Sequence, residues 1–151
     1  MAGELLLDAG ALVSLLDRSQ ELHLACVLCF DEWKGPVVST EAVLTEATQL
    51  LGQVAGGTRS CVDFFLGGGA VLVPSSAASL RRTRELMVQH ADVPMDYADA
   101  TVVALAEELD TNVVLTTARA AFGRYRLNGR RTFRILPAAS TRAQARASAR
   151  S

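Results

Sequence analysis

Short apolar runs alternate with longer helical patterns along almost the whole chain, and this alternation constrains the fold more than any other feature. The runs are apolar on both faces, as in Leu-Leu-Leu at residues 5–7, which is typical of strands in a parallel sheet covered by helices. The sequence therefore predicts an α/β fold. The predicted strands are residues 4–8, 35–39, 70–74, 112–117 and 132–136.

The segments between these strands carry apolar residues at helical spacing. Residues 11–33 predict two helices broken near Arg18–Ser19, and a turn is expected at Asn128–Gly129 before the last strand. Residues 137–151 are rich in alanine, serine and arginine and are expected to be frayed. We therefore predict one domain over 1–138 and a flexible tail over 139–151. The other predicted helices are residues 40–52, 57–66, 78–90 and 97–109.

Acidic and basic side chains are segregated along the chain. Residues 1–110 carry six basic and sixteen acidic side chains, a net charge of −10, whereas residues 111–151 carry nine arginines and no acid. Such a split indicates a polyanionic partner, an acidic protein partner, or an acidic site beside a basic rim. For the last dozen residues a solubilising tail is an equally good interpretation.

Several classes of protein are disfavoured by composition. No apolar stretch is long enough to cross a membrane, and the N-terminus carries Glu4 and Asp8 without the basic region of a signal peptide. The three cysteines are an odd number, so reduced thiols and a cytoplasmic location are expected. Zinc is disfavoured because the sequence has no Cys/His cluster with ligand spacing.

Three carboxylates interrupt apolar faces. Asp8 directly follows the three leucines of the first strand, Glu46 lies on the face of Val43 and Leu50, and Asp99 lies on the face of Val102. Burying an unpaired carboxylate costs several kcal/mol, and residues 1–110 offer few cations to pair with three of them. Two interpretations stay open here: an acidic site for a hard divalent cation, or acids satisfied as helix caps and polar seams.

Four segments, taken in order, resemble one known family. They are similar to the PIN-domain family, in particular to VapC-like toxin ribonucleases of type II toxin–antitoxin systems. The segments are LLLDAGALVSLLD, VVSTEAVLTEATQLL, MDYADATVVALAEELDTNVVLTT and FGRYR. The resemblance runs from about residue 4 to 137. It implies a three-layer α/β/α sandwich with a central parallel sheet of about five strands. It also implies an endoribonuclease that uses Mg²⁺ or Mn²⁺ to hydrolyse RNA, and a cognate antitoxin. We also predict a homodimer, for which the apolar early helices could form the contact face or could equally be core.

The resemblance assigns site residues. Asp8, Glu46 and Asp99 match the family's acids, and Thr116 matches its polar threonine; Asp96 is a helix cap that would add a metal ligand. The family usually has a fourth acid two residues after that threonine, where this chain has Ala118. Three explanations of the missing acid stay open: Asp96 supplies the missing charge, the site binds one metal weakly, or the chain is a catalytically dead form.

Basic residues follow the same strand. Arg119, Arg124 and Arg126 are predicted to contact RNA phosphates, with surface arginines lacking a partner as the alternative. Two other functions compete with the ribonuclease. One is a non-catalytic PIN-fold module that binds RNA or an antitoxin, which Ala118 favours. The other is a structure-specific DNA nuclease, which the small size of the chain disfavours.

Overall fold

The computed structural model describes residues 3–150 and contains, within them, a parallel sheet of five strands in the order β3-β2-β1-β4-β7. Every pairing in this sheet is parallel, as the sequence predicts. A second, two-stranded sheet pairs β5 with β6 in antiparallel register. The strands are β1 Leu5–Leu7, β2 Val37–Thr40, β3 Val71–Val73, β4 Val113–Leu115, β5 Arg126–Leu127, β6 Arg131–Thr132 and β7 Arg134–Leu136.

Helices cover both faces of the five-stranded sheet and leave an apolar layer on each side. The alternation of side chains along β1 shows the arrangement: Leu6 packs into one cluster, whereas Leu5 and Leu7 pack into the other. The predicted three-layer α/β/α fold is thus confirmed. The helices are α1 Ala9–Leu16, α2 His23–Glu32, α3 Glu41–Leu50, α4 Gly57–Leu66, α5 Ala77–Gln89, α6 Tyr97–Leu109, α7 Arg119–Arg124 and α8 Ala139–Ala149.

Side-chain caps determine where three of these helices begin. The Thr40 hydroxyl accepts a hydrogen bond from Val43 N at the start of α3, and Ser76 forms a capping box with Ser79 at the start of α5. At the start of α6, Asp96 Oδ1 accepts from Asp99 N at 2.7 Å. These caps fix the first turns of α3 and α6.

The segment after β4 is more elaborate than predicted. The predicted strand 132–136 is divided, because Arg131–Thr132 pairs with β5 whereas Arg134–Leu136 joins the parallel sheet. The turn predicted at Asn128–Gly129 is confirmed, and both residues have positive φ, 53° and 71°. Helix α7 was not predicted.

The C-terminal segment was expected to be frayed; in the structure its residues 139–149 form α8, which packs against α2, and the flexibility of the tail stays a prediction. Alanine has the highest helix propensity, and Ala145 is buried at the contact. The boundary at residue 138 stays a prediction. Across residues 3–150, the helices are all too short or too polar to span a membrane.

Candidate active site

Asp8 and Thr116 meet at the carboxyl edge of the sheet because they directly follow β1 and β4, which are neighbouring parallel strands. Thr116 Oγ1 donates to Asp8 Oδ2 at 2.7 Å and accepts from Ala118 N at 2.9 Å. Both side chains are buried, Asp8 with 3% of its surface exposed. In parallel α/β sheets this edge is where ligands bind.

One oxygen of Asp8 has no partner. Oδ1 is buried and makes no hydrogen bond within the part of the chain that the structure describes. Burial raises the pKa of Asp8, the Thr116 hydroxyl and then the backbone N–H of Ala9 oppose this shift, and the charge of Asp96 adds to it. A buried carboxylate oxygen without a donor is costly, so Asp8 is a group that a bound cation would stabilise.

Asp99 lies in the first turn of α6, buried with 8% of its surface exposed. Its Oδ2 accepts a hydrogen bond from the Tyr125 hydroxyl at 2.8 Å. Burial, followed by the charge of Asp8, raises the pKa of Asp99 to about 7, although the Tyr125 hydrogen bond acts in the opposite direction. Part of the Asp99 population is therefore protonated near neutral pH when no cation is present.

Glu46 and Asp96 line one open cleft between α3 and α6. Burial raises the pKa of Glu46, and the charges of Asp96 and Asp8 raise it further. Glu46 is only half-buried, and Leu50, which was predicted to share its buried face, is 57% exposed. The buried face of α3 is instead formed by Val43 and Ala47, with Glu46 at its border.

The four acids thus share one electrostatic environment. Each shifted carboxylate responds to the charge of at least one other member of the set, and no ion pair joins any of them to a basic side chain within residues 3–150. We call Asp8, Glu46, Asp96 and Asp99 the acidic cluster. Accumulated, unpaired negative charge of this kind is typical of a site that binds a cation.

Two solved structures share this architecture. VapC20 of Mycobacterium tuberculosis, described as a sarcin–ricin loop cleaving toxin, superimposes with a TM-score of 0.70 at 17% identity, over 79% of this chain and 95% of the other. The fold is that of the VapC toxins. VapBC2 of Rickettsia felis, described as bound to a DNA fragment from its promoter, gives a TM-score of 0.65 at 13% identity, over 87% and 98%. No family model and no curated protein sequence matches this chain.

The VapC-like fold does not present a ready-made metal cage in this chain. Among residues 3–150, no three Asp, Glu, His or Cys side chains converge closely enough to enclose one ion. The donor chemistry nevertheless fits a hard cation, because the cluster offers only carboxylate oxygens and Asp8 Oδ1 lacks any other partner. Mg²⁺ commonly binds through one or two carboxylates and retains water on its other positions.

The three predicted RNA-binding arginines lie in or directly after α7, and each donates to a backbone carbonyl. Arg119 Nη1 donates to Pro137 O, Arg124 Nη1 to Ala120 O, and Arg126 Nη1 to both Gly123 O and Tyr125 O. Arg124 is exposed, whereas Arg119 and Arg126 are half-buried. Their contact with RNA stays a prediction, for which Arg124 is the most accessible candidate.

The hydrogen bond between Tyr125 and Asp99 was not predicted. A lone tyrosine in FGRYR carries no periodic signal, and its contact with Asp99 joins residues that are 26 positions apart in the chain. The available signal was its place in a segment that resembles the family, between two arginines.

Proposed function

We propose that this chain is the toxin of a type II toxin–antitoxin system, a divalent-metal-dependent endoribonuclease that acts in the cytoplasm. The observation that carries the proposal is the buried, partnerless Oδ1 of Asp8 within an unpaired acidic cluster. The VapC-like fold supports it, since VapC20 is described as cleaving the sarcin–ricin loop.

Asp8 and Asp99 would hold the metal, with Glu46 and Asp96 completing its surroundings directly or through water. Bound Mg²⁺ or Mn²⁺ would lower the pKa of a water molecule and stabilise negative charge on the scissile phosphate. The ligand chemistry alone does not choose between these two hard cations.

The protein's own groups have separable roles. The Thr116 hydroxyl holds Asp8 Oδ2, which would leave Oδ1 available to the metal. Glu46 borders the open cleft, where its carboxylate would be placed to accept a proton from a water molecule. Exposed Arg124, assisted by Arg119 and Arg126, would contact the RNA backbone beside the acids.

Protein partners belong to the same proposal. Leu80, Met87 and Val88 are exposed along α5, and Tyr97 is exposed nearby, so that they line one apolar groove. Exposed apolar patches of this kind mark protein contacts. They support a homodimer and an antitoxin as partners, without assigning the groove to either.

A second function has specific support. Ala118 brings no carboxylate to the end of β4, where it lies half-buried at the start of α7. Together with the absence of a ready-made cage in residues 3–150, this favours a non-catalytic module that binds RNA or an antitoxin.

Cleavage of an RNA panel separates the two functions. Purified chain, Ala118→Asp and Asp8→Ala would be incubated with tRNA and rRNA in Mn²⁺ or Mg²⁺, with and without EDTA. The ribonuclease proposal expects cleavage by the native sequence, faster cleavage by Ala118→Asp, and none by Asp8→Ala or in EDTA. RNA binding that survives EDTA, with no cleavage by any folded variant, would favour the binding module.

A further inference from the structure

Tyr125 is a buried tyrosine whose hydroxyl lies against the acidic cluster. Only 2% of its surface is exposed, and the hydroxyl donates to Asp99 Oδ2 at 2.8 Å. Burial, and then the hydrogen bond to the Asp99 carboxylate, raise the pKa of the Tyr125 phenol. The Tyr125 hydroxyl therefore stays protonated and acts as a donor. The bond is therefore a neutral donor on a carboxylate, and it adds no charge to the cluster.

The ring of Tyr125 is held by two aromatic neighbours. Phe122 packs edge-on against it with centroids 5.1 Å apart, and His90, which caps the C-terminus of α5, packs edge-on from another helix at 5.5 Å. Such contacts between rings are favourable beyond simple burial. The Tyr125 hydroxyl thus reaches Asp99 from a ring that is packed between Phe122 of α7 and His90 at the end of α5.

Asp8 and Asp99 are held in the same way. In each, one carboxylate oxygen accepts from a buried hydroxyl on a different element, Thr116 for Asp8 and Tyr125 for Asp99. In Asp8 the second oxygen, Oδ1, is buried and has no hydrogen-bond partner among the described residues. Carboxylates that bind metals are commonly oriented by such outer hydrogen bonds.

We propose that Tyr125 is a positioning residue that orients Asp99 for the divalent cation, an inference that rests on the proposed function. Holding Asp99 in place matters more in this chain than in one with a fourth acid, because Ala118 leaves fewer carboxylates to share the ion. Loss of an outer partner typically lowers metal affinity or activity 10- to 100-fold.

The test compares Tyr125→Phe with Tyr97→Phe in the full chain. Both substitutions remove one phenolic hydroxyl and keep the ring, and Tyr97 is the only other tyrosine in the sequence. Mn²⁺ affinity would be measured from the electron paramagnetic resonance signal of free Mn²⁺. We expect binding about 10- to 100-fold weaker for Tyr125→Phe and unchanged binding for Tyr97→Phe.

The dependence of RNA cleavage on Mn²⁺ distinguishes positioning from a general loss of structure. If Tyr125 acts through Asp99, a high Mn²⁺ concentration restores the cleavage rate of Tyr125→Phe toward that of the native sequence. Mn²⁺ affinity of Tyr125→Phe equal to that of the native chain overturns the inference and leaves the proposed function standing. A native chain that neither binds Mn²⁺ nor cuts RNA overturns both.

A second measurement needs no substitution at Tyr125, in case Tyr125→Phe does not fold. The chain labelled with 3-fluorotyrosine gives two ¹⁹F resonances, and Tyr97→Phe identifies which belongs to Tyr125. Diamagnetic Mg²⁺ is expected to shift the Tyr125 resonance, because the cation changes the charge on Asp99. A Tyr125 resonance that Mg²⁺ saturation leaves unmoved would overturn the inference.

Discussion

Replacing Asp99 with asparagine should make the metal-free protein more stable at pH 8. In the folded protein the pKa of Asp99 is raised from 3.8 to about 7, chiefly by burial. At pH 8 the folded chain therefore carries a charge that its environment disfavours. Asparagine removes this charge and still offers a carbonyl oxygen to the Tyr125 hydroxyl, which now donates to Asp99 Oδ2.

The magnitude follows from the pKa difference. Each pKa unit corresponds to about 1.4 kcal/mol, so the charge on Asp99 costs about 4 kcal/mol of folding free energy at pH 8. Burying the asparagine amide offsets part of this gain. We expect Asp99→Asn to raise the free energy of unfolding at pH 8 by about 2–4 kcal/mol.

The same difference gives the sign of the pH dependence. Between about pH 4 and 7 the unfolded chain releases the Asp99 proton while the folded chain retains it, so the free energy of unfolding falls as pH rises. Above about pH 7 this contribution is constant. Asp99→Asn removes the part of the slope that Asp99 contributes, so its advantage over the native sequence should be smallest at the acidic end of the window.

Urea unfolding in EDTA, followed by circular dichroism and by fluorescence of the single tryptophan, Trp33, measures these free energies. Asp92→Asn is the matched control, because it makes the same change of charge at an exposed position. The reasoning is refuted if Asp99→Asn is no more stable than the native sequence at pH 8. It is also refuted if Asp92→Asn stabilises the protein equally.

Three further predictions concern the same site. Mn²⁺ at 100 times its dissociation constant should raise the free energy of unfolding by about 2.7 kcal/mol. The Mn²⁺ concentration needed should be lower at pH 8 than at pH 5, because carboxylate ligands bind the ion deprotonated. Thermal melts test this, and an equal effect on Asp8→Ala would contradict it. Thr116→Val removes the donor to Asp8 and should cost about 1.5–3 kcal/mol in urea unfolding at pH 8; unchanged stability would count against the role of that hydrogen bond. Arg124→Ala should lower the salt dependence of RNA binding by about one phosphate contact, with Mn²⁺ affinity unchanged; a filter-binding slope equal to the native one would remove Arg124 from the interface.

Much of the fold could be predicted because its central strands are buried on both faces. In β1 the three leucines pack into both apolar layers, so the strand is recognisable in the sequence as a continuous apolar run. The short antiparallel pair β5–β6 could not be predicted, since two-residue strands are too short for a period of two to appear. Helix α8 was not predicted because alanine is the only apolar residue type in it, so its buried face, which includes Ala145, forms no clear apolar stripe in the sequence.

The site was partly predictable for a different reason. Asp8 and Asp99 stand out because a carboxylate on an apolar face conflicts with burial, and the structure does bury both. The same argument predicted the burial of Glu46 less accurately, since Glu46 lies at the border of the buried face of α3 rather than within it. Tyr125 could not be assigned, because its hydrogen bond to Asp99 depends on tertiary packing between residues 26 positions apart.

The most direct test of the metal-site proposal is anomalous X-ray scattering from crystals of this chain soaked in Mn²⁺. We expect a manganese peak within coordination distance of carboxylate oxygens of Asp8 and Asp99, and no such peak in Asp8→Ala crystals soaked in the same way. Crystals of the native sequence that show no peak at these two residues, with the Asp8–Thr116 hydrogen bond intact, would contradict it.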